Sequence, residues 1–170
     1  MLKIAQISVE KIFYLDESGF DIEMMKTHGF SKIGQRLLAE KSGNRKDKRI
    51  SVIAVRNYQH QLLNPFYFKG STNKDVFKLY LKEILMPNLP KNSYIIMDNA
   101  SFHKGEEIEE IIRLAGVNLI YLPTYSPDLN PIEKKWAQVK SYYRKWSYYF
   151  EDKIQLLEMV LNGDYSARLV

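Results

Sequence analysis

Short apolar runs alternate with amphipathic stretches along this chain, and their order predicts a mixed sheet covered by helices. Ile12-Phe13-Tyr14-Leu15 is the first run, a strand over Lys11–Leu15 that Asp16-Glu17-Ser18-Gly19 breaks. Ile50–Asn57 and Leu62–Lys69 read as two strands joined by a short polar turn, hence an antiparallel hairpin, and Pro65 marks the second as an edge strand. Over Asn73–Met86 the apolar residues Val76, Phe77, Tyr80, Leu81, Ile84 and Leu85 recur at spacings of three and four, the period of a helix, which Pro87 stops. A buried strand follows, Tyr94–Met97, ending at Asp98. Glu106–Ala115 is a helix closed by Gly116, Val117–Leu122 another buried strand, and Asn130–Trp146 and Glu151–Asn162 are helices.

Three antiparallel strands leading into two strand–helix units make an α/β fold with a five-stranded mixed sheet and helices on both faces. A strand–helix–strand crossover is parallel, so the first strand and the Asp98 strand can be neighbours, about 4.8 Å apart. Residues 1–10 read as a lead-in and 20–40 as an irregular excursion. Lys41–Arg49 is a loop whose five basic residues (Lys41, Arg45, Lys46, Lys48, Arg49) outnumber its one acid, Asp47. There is no internal repeat.

The 170 residues suit one domain with a substantial core. The absence of cysteine excludes disulfides and thiolate metal sites and agrees with a reducing cytoplasm. No stretch reaches 18 apolar residues, so no membrane span is expected. A formal net charge of +5 permits a nucleic-acid partner without requiring one.

The chemistry is carried by carboxylates. Asp16 and Asp98 each follow an apolar run, Glu133 lies in the first turn of a helix, and 34 residues separate Asp98 from Glu133. If the three meet, their mutual repulsion opposes full ionisation, and a divalent cation resolves the conflict. Mg²⁺ takes oxygen ligands, and a pair of such ions can clamp a phosphodiester. Each acid also has a plainer use. Asp16 and the Asp98-Asn99 pair suit turns. Asn130, Pro131 and Glu133 together resemble a capping box. Glu17 rivals Asp16, but adjacent strand residues face opposite sides, so one of the two points into such a site. Glu106, Glu107, Glu109 and Glu110 read as a solvated face at a helix start.

YLDESGF, IIMDNASFHK and YLPTYSPDLNPIEKKWAQVK, in this order, resemble the catalytic domain of the DDE transposases of the mariner-like superfamily, in particular its bacterial insertion-sequence branch, over about residues 12–145. The resemblance implies a ribonuclease-H-like fold and makes Asp16, Asp98 and Glu133 the catalytic, metal-binding triad. It implies two Mg²⁺ ions, for which Mn²⁺ would substitute, hydrolytic nicking at transposon ends, and attack of the freed 3′-hydroxyl on target DNA, usually at TA. It also includes the His103-Lys104 pair, with His103 and Asn99 as accessory candidates beside the site. Members of the family usually carry helix-turn-helix domains ahead of the first catalytic strand. Here the lead-in of residues 1–10 precedes it, and the chain is expected to be a single catalytic domain from a split reading frame, a shortened copy or an isolated domain. A homodimer, or a partner polypeptide bearing the DNA-binding domains, would complete it in a bacterial cytoplasm, at the nucleoid.

Lys104, Lys134, Lys135, Lys140 and Arg144 are the candidate DNA contacts, supplying salt-dependent and sequence-independent affinity. Helix geometry spreads the α-helical ones over more than one face. Six aromatics in nine residues (Tyr142, Tyr143, Trp146, Tyr148, Tyr149, Phe150) suit packing between helices or stacking on unpaired bases. Three other functions remain open from the residues: a non-autonomous remnant that binds DNA or a partner transposase, a metal-independent glycosidase, and a haloacid-dehalogenase-type phosphatase. The last is disfavoured because Asp16-Glu17-Ser18 lacks a second aspartate two positions on.

Overall fold

The computed structural model describes residues 7–22, 49–123 and 126–163. Five strands form one sheet in the order β3-β2-β1-β4-β5: β1 (Ile12–Asp21), β2 (Arg49–Arg56), β3 (Leu62–Lys69), β4 (Tyr94–Met97) and β5 (Asn118–Tyr121). β1, β2 and β3 are antiparallel, whereas β4 and β5 run parallel to β1. Both the hairpin and the β1–β4 neighbourhood anticipated from the sequence are present. β3 is an edge strand, and its register against β2 shifts between Ile53 and Val55, beside Asn64 and Pro65. A proline there removes no needed ladder hydrogen bond.

The helices are α1 (Lys74–Leu79), α2 (Glu106–Leu114), α3 (Ile132–Trp146) and α4 (Lys153–Leu161). Asn73 caps α1 by accepting from Val76 N at 2.9 Å, and Asp152 caps α4 through Ile154 N and Gln155 N. α1 continues as a π-helical stretch, Tyr80–Leu85, and a 3₁₀ turn, Met86–Asn88, a change of winding that apolar spacing does not encode. Gly116, at φ +71°, ends α2 in the left-handed conformation that suits glycine.

Alternation along β1 distributes its side chains between two layers. Phe13 and Leu15 join Ile53, Val55, Ile95 and Met97 beneath α1 and α2, through Phe77, Tyr80, Leu81, Ile108 and Ile112. Phe20 joins Ile50, Val52 and Ala54 beneath α3 and α4, through Ile132, Trp136, Val139, Tyr143, Leu156 and Leu157. The Phe20 ring meets Tyr143 edge-on at 5.3 Å and Trp136 at 6.3 Å, anchoring α3 across the far end of β1. The result is a helix–sheet–helix sandwich with α3 and α4 on one face and α1 and α2 on the other.

One boundary departs from expectation in a way that matters. The Asp16-Glu17-Ser18-Gly19 segment does not break the first strand: β1 runs on to Asp21 and pairs with β2 throughout, Asp16 with Ala54 and Gly19 with Ser51. Continued alternation, with Ser18 and Phe20 buried on one face, outweighs local turn propensity. Asp16 is therefore a mid-strand residue with respect to β2. The basic residues Lys41, Arg45, Lys46 and Lys48 lie outside the described residues.

Candidate metal and nucleic-acid site

β1 and β4 are in register at Ile12 and Tyr94, Phe13 and Ile95, and Tyr14 and Ile96. Two residues further on, the same register brings Asp16 level with Asp98, just where β4 ends and β1 continues, still paired with β2. Asp16 shares its face of β1 with Phe20, the face covered by α3, whose first turn contains Glu133. Asp16 is only 8% exposed and its Oδ2 has no hydrogen-bond partner. Burial, with repulsion from Glu17, Glu133 and Asp98, pushes its pKa up to about 7. Asp16 thus lies within electrostatic reach of both other carboxylates of the sequence-based set.

The plainer reading of Glu133 does not hold. α3 starts at Ile132, its N-cap position is Pro131, and no side chain caps it. Asn130 is buried with its Oδ1 unpaired instead of receiving a helix N–H. Glu133 is exposed. Asp98 combines both uses: its Oδ1 accepts from Ala100 N at 3.0 Å, a local turn, and from His103 Nδ1 at 2.6 Å. That bond, partly opposed by desolvation, holds the Asp98 carboxyl below the usual range.

His103, an accessory candidate in the sequence, has a position and a partner, Glu17, that sequence reasoning missed. It is completely buried, its ring centroid 4.5 Å from Phe77 and 4.4 Å from Phe102. Both ring nitrogens donate to carboxylates, Nδ1 to Asp98 and Nε2 to Glu17 Oε1 at 2.8 Å. Burial works against the charged ring, but the two hydrogen bonds and the two negative charges prevail and raise its pKa to about 9. Glu17 thus serves the α1/α2 layer, on the opposite side of β1 from Asp16. The pairing joins residues 86 apart, so only the adjacency of Asp16 and Glu17 hinted at it.

The residues present suit a hard divalent cation. Every donor is oxygen, Asp16 Oδ2 is buried and unpartnered, and burial, reinforced by the neighbouring carboxylates, already raises the Asp16 pKa to about 7. Among the described residues, no three His, Asp or Glu side chains are grouped so as to hold a metal ion together. Mg²⁺ commonly keeps several waters and takes one or two protein carboxylates, so it needs no closed cage.

On α3, residues 133, 140 and 144 fall along one side of the helix at intervals of seven and four, bringing Lys140 and Arg144 into line with Glu133. Lys134 projects further outward. Lys135 lies on the other flank, its Nζ 3.3 Å from Gln138 Oε1. Lys104 is exposed next to His103. The aromatic cluster divides: Tyr143 is buried, Tyr142, Trp146 and Phe150 pack on the α3/α4 core, and Tyr148 and Tyr149 remain exposed. Glu106, Glu107, Glu109 and Glu110 form an exposed face, with ion pairs from Lys78 to Glu107 and from Arg113 to Glu110.

The family model for the DDE superfamily endonucleases matches residues 11–157. The chain belongs to this family. It is 35% identical over 64 residues to the Tc3 transposase of Caenorhabditis elegans, covering 38% of this chain and 20% of that protein. To the Tcb1 transposase of Caenorhabditis briggsae it is 31% identical over 75 residues, covering 42% and 28%. The chain thus spans between a fifth and a third of the length of these curated relatives. Among solved structures, the Mos1 strand transfer complex superposes with a TM-score of 0.58 at 16% identity, over 97% of this chain and 56% of that one. The Mos1 mariner paired-end complex with Mn gives 0.55 at 15% identity, over 97% and 56%. The catalytic core domain of BIV integrase gives 0.57 at 10%, over 89% and 81%. The DDE domain therefore has the ribonuclease-H-like fold that its motifs imply. Among the described residues, no helix is long and apolar enough to cross a membrane.

Proposed function

We propose that this chain is the DNA-cleaving and strand-transferring domain of a transposase, with Asp16, Asp98 and Glu133 as its catalytic, metal-binding carboxylates. The observation that carries the reading is Asp16: a buried carboxylate with an unpartnered Oδ2, repelled by Glu133 and Asp98. A group so placed destabilises the empty site and gains most from a bound cation. Family membership and the manganese in the Mos1 paired-end complex support divalent-metal chemistry; in this reading Mg²⁺ or Mn²⁺ would occupy two adjacent positions.

The side chains divide the work. Asp16 supplies the central negative charge from a rigid strand flanked by β2 and β4. Asp98, its Oδ1 held by His103 and Ala100, offers Oδ2 from the neighbouring strand end. Glu133 closes the site from α3. Bound ions would activate the attacking oxygen and steady the leaving one in phosphodiester cleavage and transfer. Lys140 and Arg144, on the Glu133 side of α3, would meet the phosphate backbone, joined by Lys104 and Lys134.

The DNA substrates are transposon ends and a target, TA in the reading from the motifs. Transpososome structures of Mos1, including paired-end complexes, support assembly with a second copy. The test is nicking of supercoiled DNA with Mg²⁺ or Mn²⁺. Activity should appear with metal, vanish with EDTA and be lost in Asp16→Asn, Asp98→Asn and Glu133→Gln. Nicking that persists in these variants refutes the assignment.

A further inference from the structure

We propose that Glu17 and His103 form a positioning pair that fixes the Asp98 carboxylate with Oδ1 committed inward and Oδ2 presented to the metal site. The inference rests on the reading of Asp98 as a metal ligand.

Three charged groups are strung from the α1/α2 layer to the site. Glu17 is largely buried, its side chain 16% exposed, His103 is wholly buried, and Asp98 is 52% exposed. Carboxylate oxygens only accept when ionised, so a ring bridging two of them donates from both nitrogens. Charge assistance accounts for the short 2.6 Å contact to Asp98. The ring is held on its other sides by Phe77 and Phe102, and the His103 carbonyl accepts from Tyr121 Oη at 2.8 Å, tying the segment to β5.

Stability does not explain the arrangement. A buried ion network is often no better than apolar residues of equal volume, and here Phe77 and Phe102 already offer apolar surroundings. What the network provides is orientation. Ala100 N and His103 Nδ1 both engage Oδ1, so the oxygen left for an external partner is Oδ2. Glu17 holds the ring at the required angle from the far side, while its neighbour Asp16 faces the site. Adjacent residues of one strand thus serve one carboxylate constellation from opposite faces of the sheet. Groups that orient a metal-binding side chain typically alter metal affinity 10–100-fold when lost.

The test uses the full chain with ¹³C-labelled aspartate, comparing the parent with Glu17→Ala and Glu17→Gln. Glutamine retains an acceptor oxygen for His103 Nε2–H; alanine does not. In metal-free protein, the Asp98 carboxyl resonance should move in Glu17→Ala and return to within a linewidth of its parent position in Glu17→Gln. The Mn²⁺ dissociation constant, measured by electron paramagnetic resonance, should rise about 10-fold in Glu17→Ala and less than about 3-fold in Glu17→Gln. An Asp98 signal unmoved by Glu17→Ala overturns the proposal, as does one displaced equally in both variants. So does unchanged Mn²⁺ affinity in Glu17→Ala when the parent binds. If the signal moves and is restored but the parent binds no Mn²⁺, the positioning pair stands and the metal reading of the site falls.

Discussion

Asp16 and Glu17, neighbours in β1, point into opposite layers of the protein: Asp16 toward the α3 side, within electrostatic reach of Glu133, and Glu17 toward the α1 side onto His103. Their roles should separate accordingly. Asp16→Asn should cost more activity than the roughly 10–100-fold expected for loss of an orienting partner, whereas Glu17→Gln should fall within or below that range. Nicking rates at saturating Mg²⁺ decide this. Equal losses would mean that the strand's two faces are not functionally distinct.

The raised pKa of Asp16 has a definite consequence for stability. An unfolded carboxyl titrates near 3.8 and the native one near 7, so between these values the native state binds more protons. Stability of the metal-free protein should therefore fall as pH rises from about 4 to about 7, then level off as far as this group is concerned. Asp16→Asn should remove that slope and, at pH 8, exceed the parent in stability by a few kcal/mol at most, on the order of 1.4 kcal/mol per pKa unit. Denaturant unfolding of both proteins across this range gives the answer. Saturating Mg²⁺ should narrow the gap by stabilising the parent.

His103 titrates in the opposite part of the scale. Its native pKa of about 9 lies above the ordinary 6.5, so its contribution is complete below pH 6.5 and lost as pH rises through 9. Its ring resonances should stay those of an imidazolium through pH 7.5, and His103→Ala should unfold more readily by at most about 3–5 kcal/mol, because the largely buried Glu17 loses its cation while the half-exposed Asp98 is solvated. Nuclear magnetic resonance titration and urea unfolding test the two statements.

The basic residues of α3 should not contribute equally to DNA binding. Lys140 and Arg144 line up with Glu133, whereas Lys135 lies on the other flank. Replacing Lys140 or Arg144 by alanine should reduce the salt dependence of DNA affinity by about 0.9 in slope each, and Lys135→Ala should change it little. Binding titrations between low and physiological salt measure the slope.

Much of this arrangement was legible in the chain. Apolar periods gave the strand and helix order, and the parallel crossover placed the Asp16 and Asp98 strands together. Hidden features were those decided by tertiary contact. The turn-like Asp16-Glu17-Ser18-Gly19 stays in β1 because β2 pairs with it and Phe20 locks onto Trp136 and Tyr143. The π-helical stretch at Tyr80–Leu85 leaves the spacing of buried residues almost unaltered. The expected Asn130 cap is absent although its residues are right, since α3 begins one position later than that cap requires. The Glu17–His103–Asp98 chain joins distant segments and has no local pattern.

The central claim is that Asp16, Asp98 and Glu133 share bound divalent metal. Crystals soaked in Mn²⁺ and measured at the manganese absorption edge test it directly. Anomalous peaks should appear about 2.0–2.3 Å from Asp16 oxygen atoms, with Asp98 and Glu133 oxygens completing the protein ligands. Manganese bound elsewhere, or none near Asp16 at millimolar concentration, would contradict it.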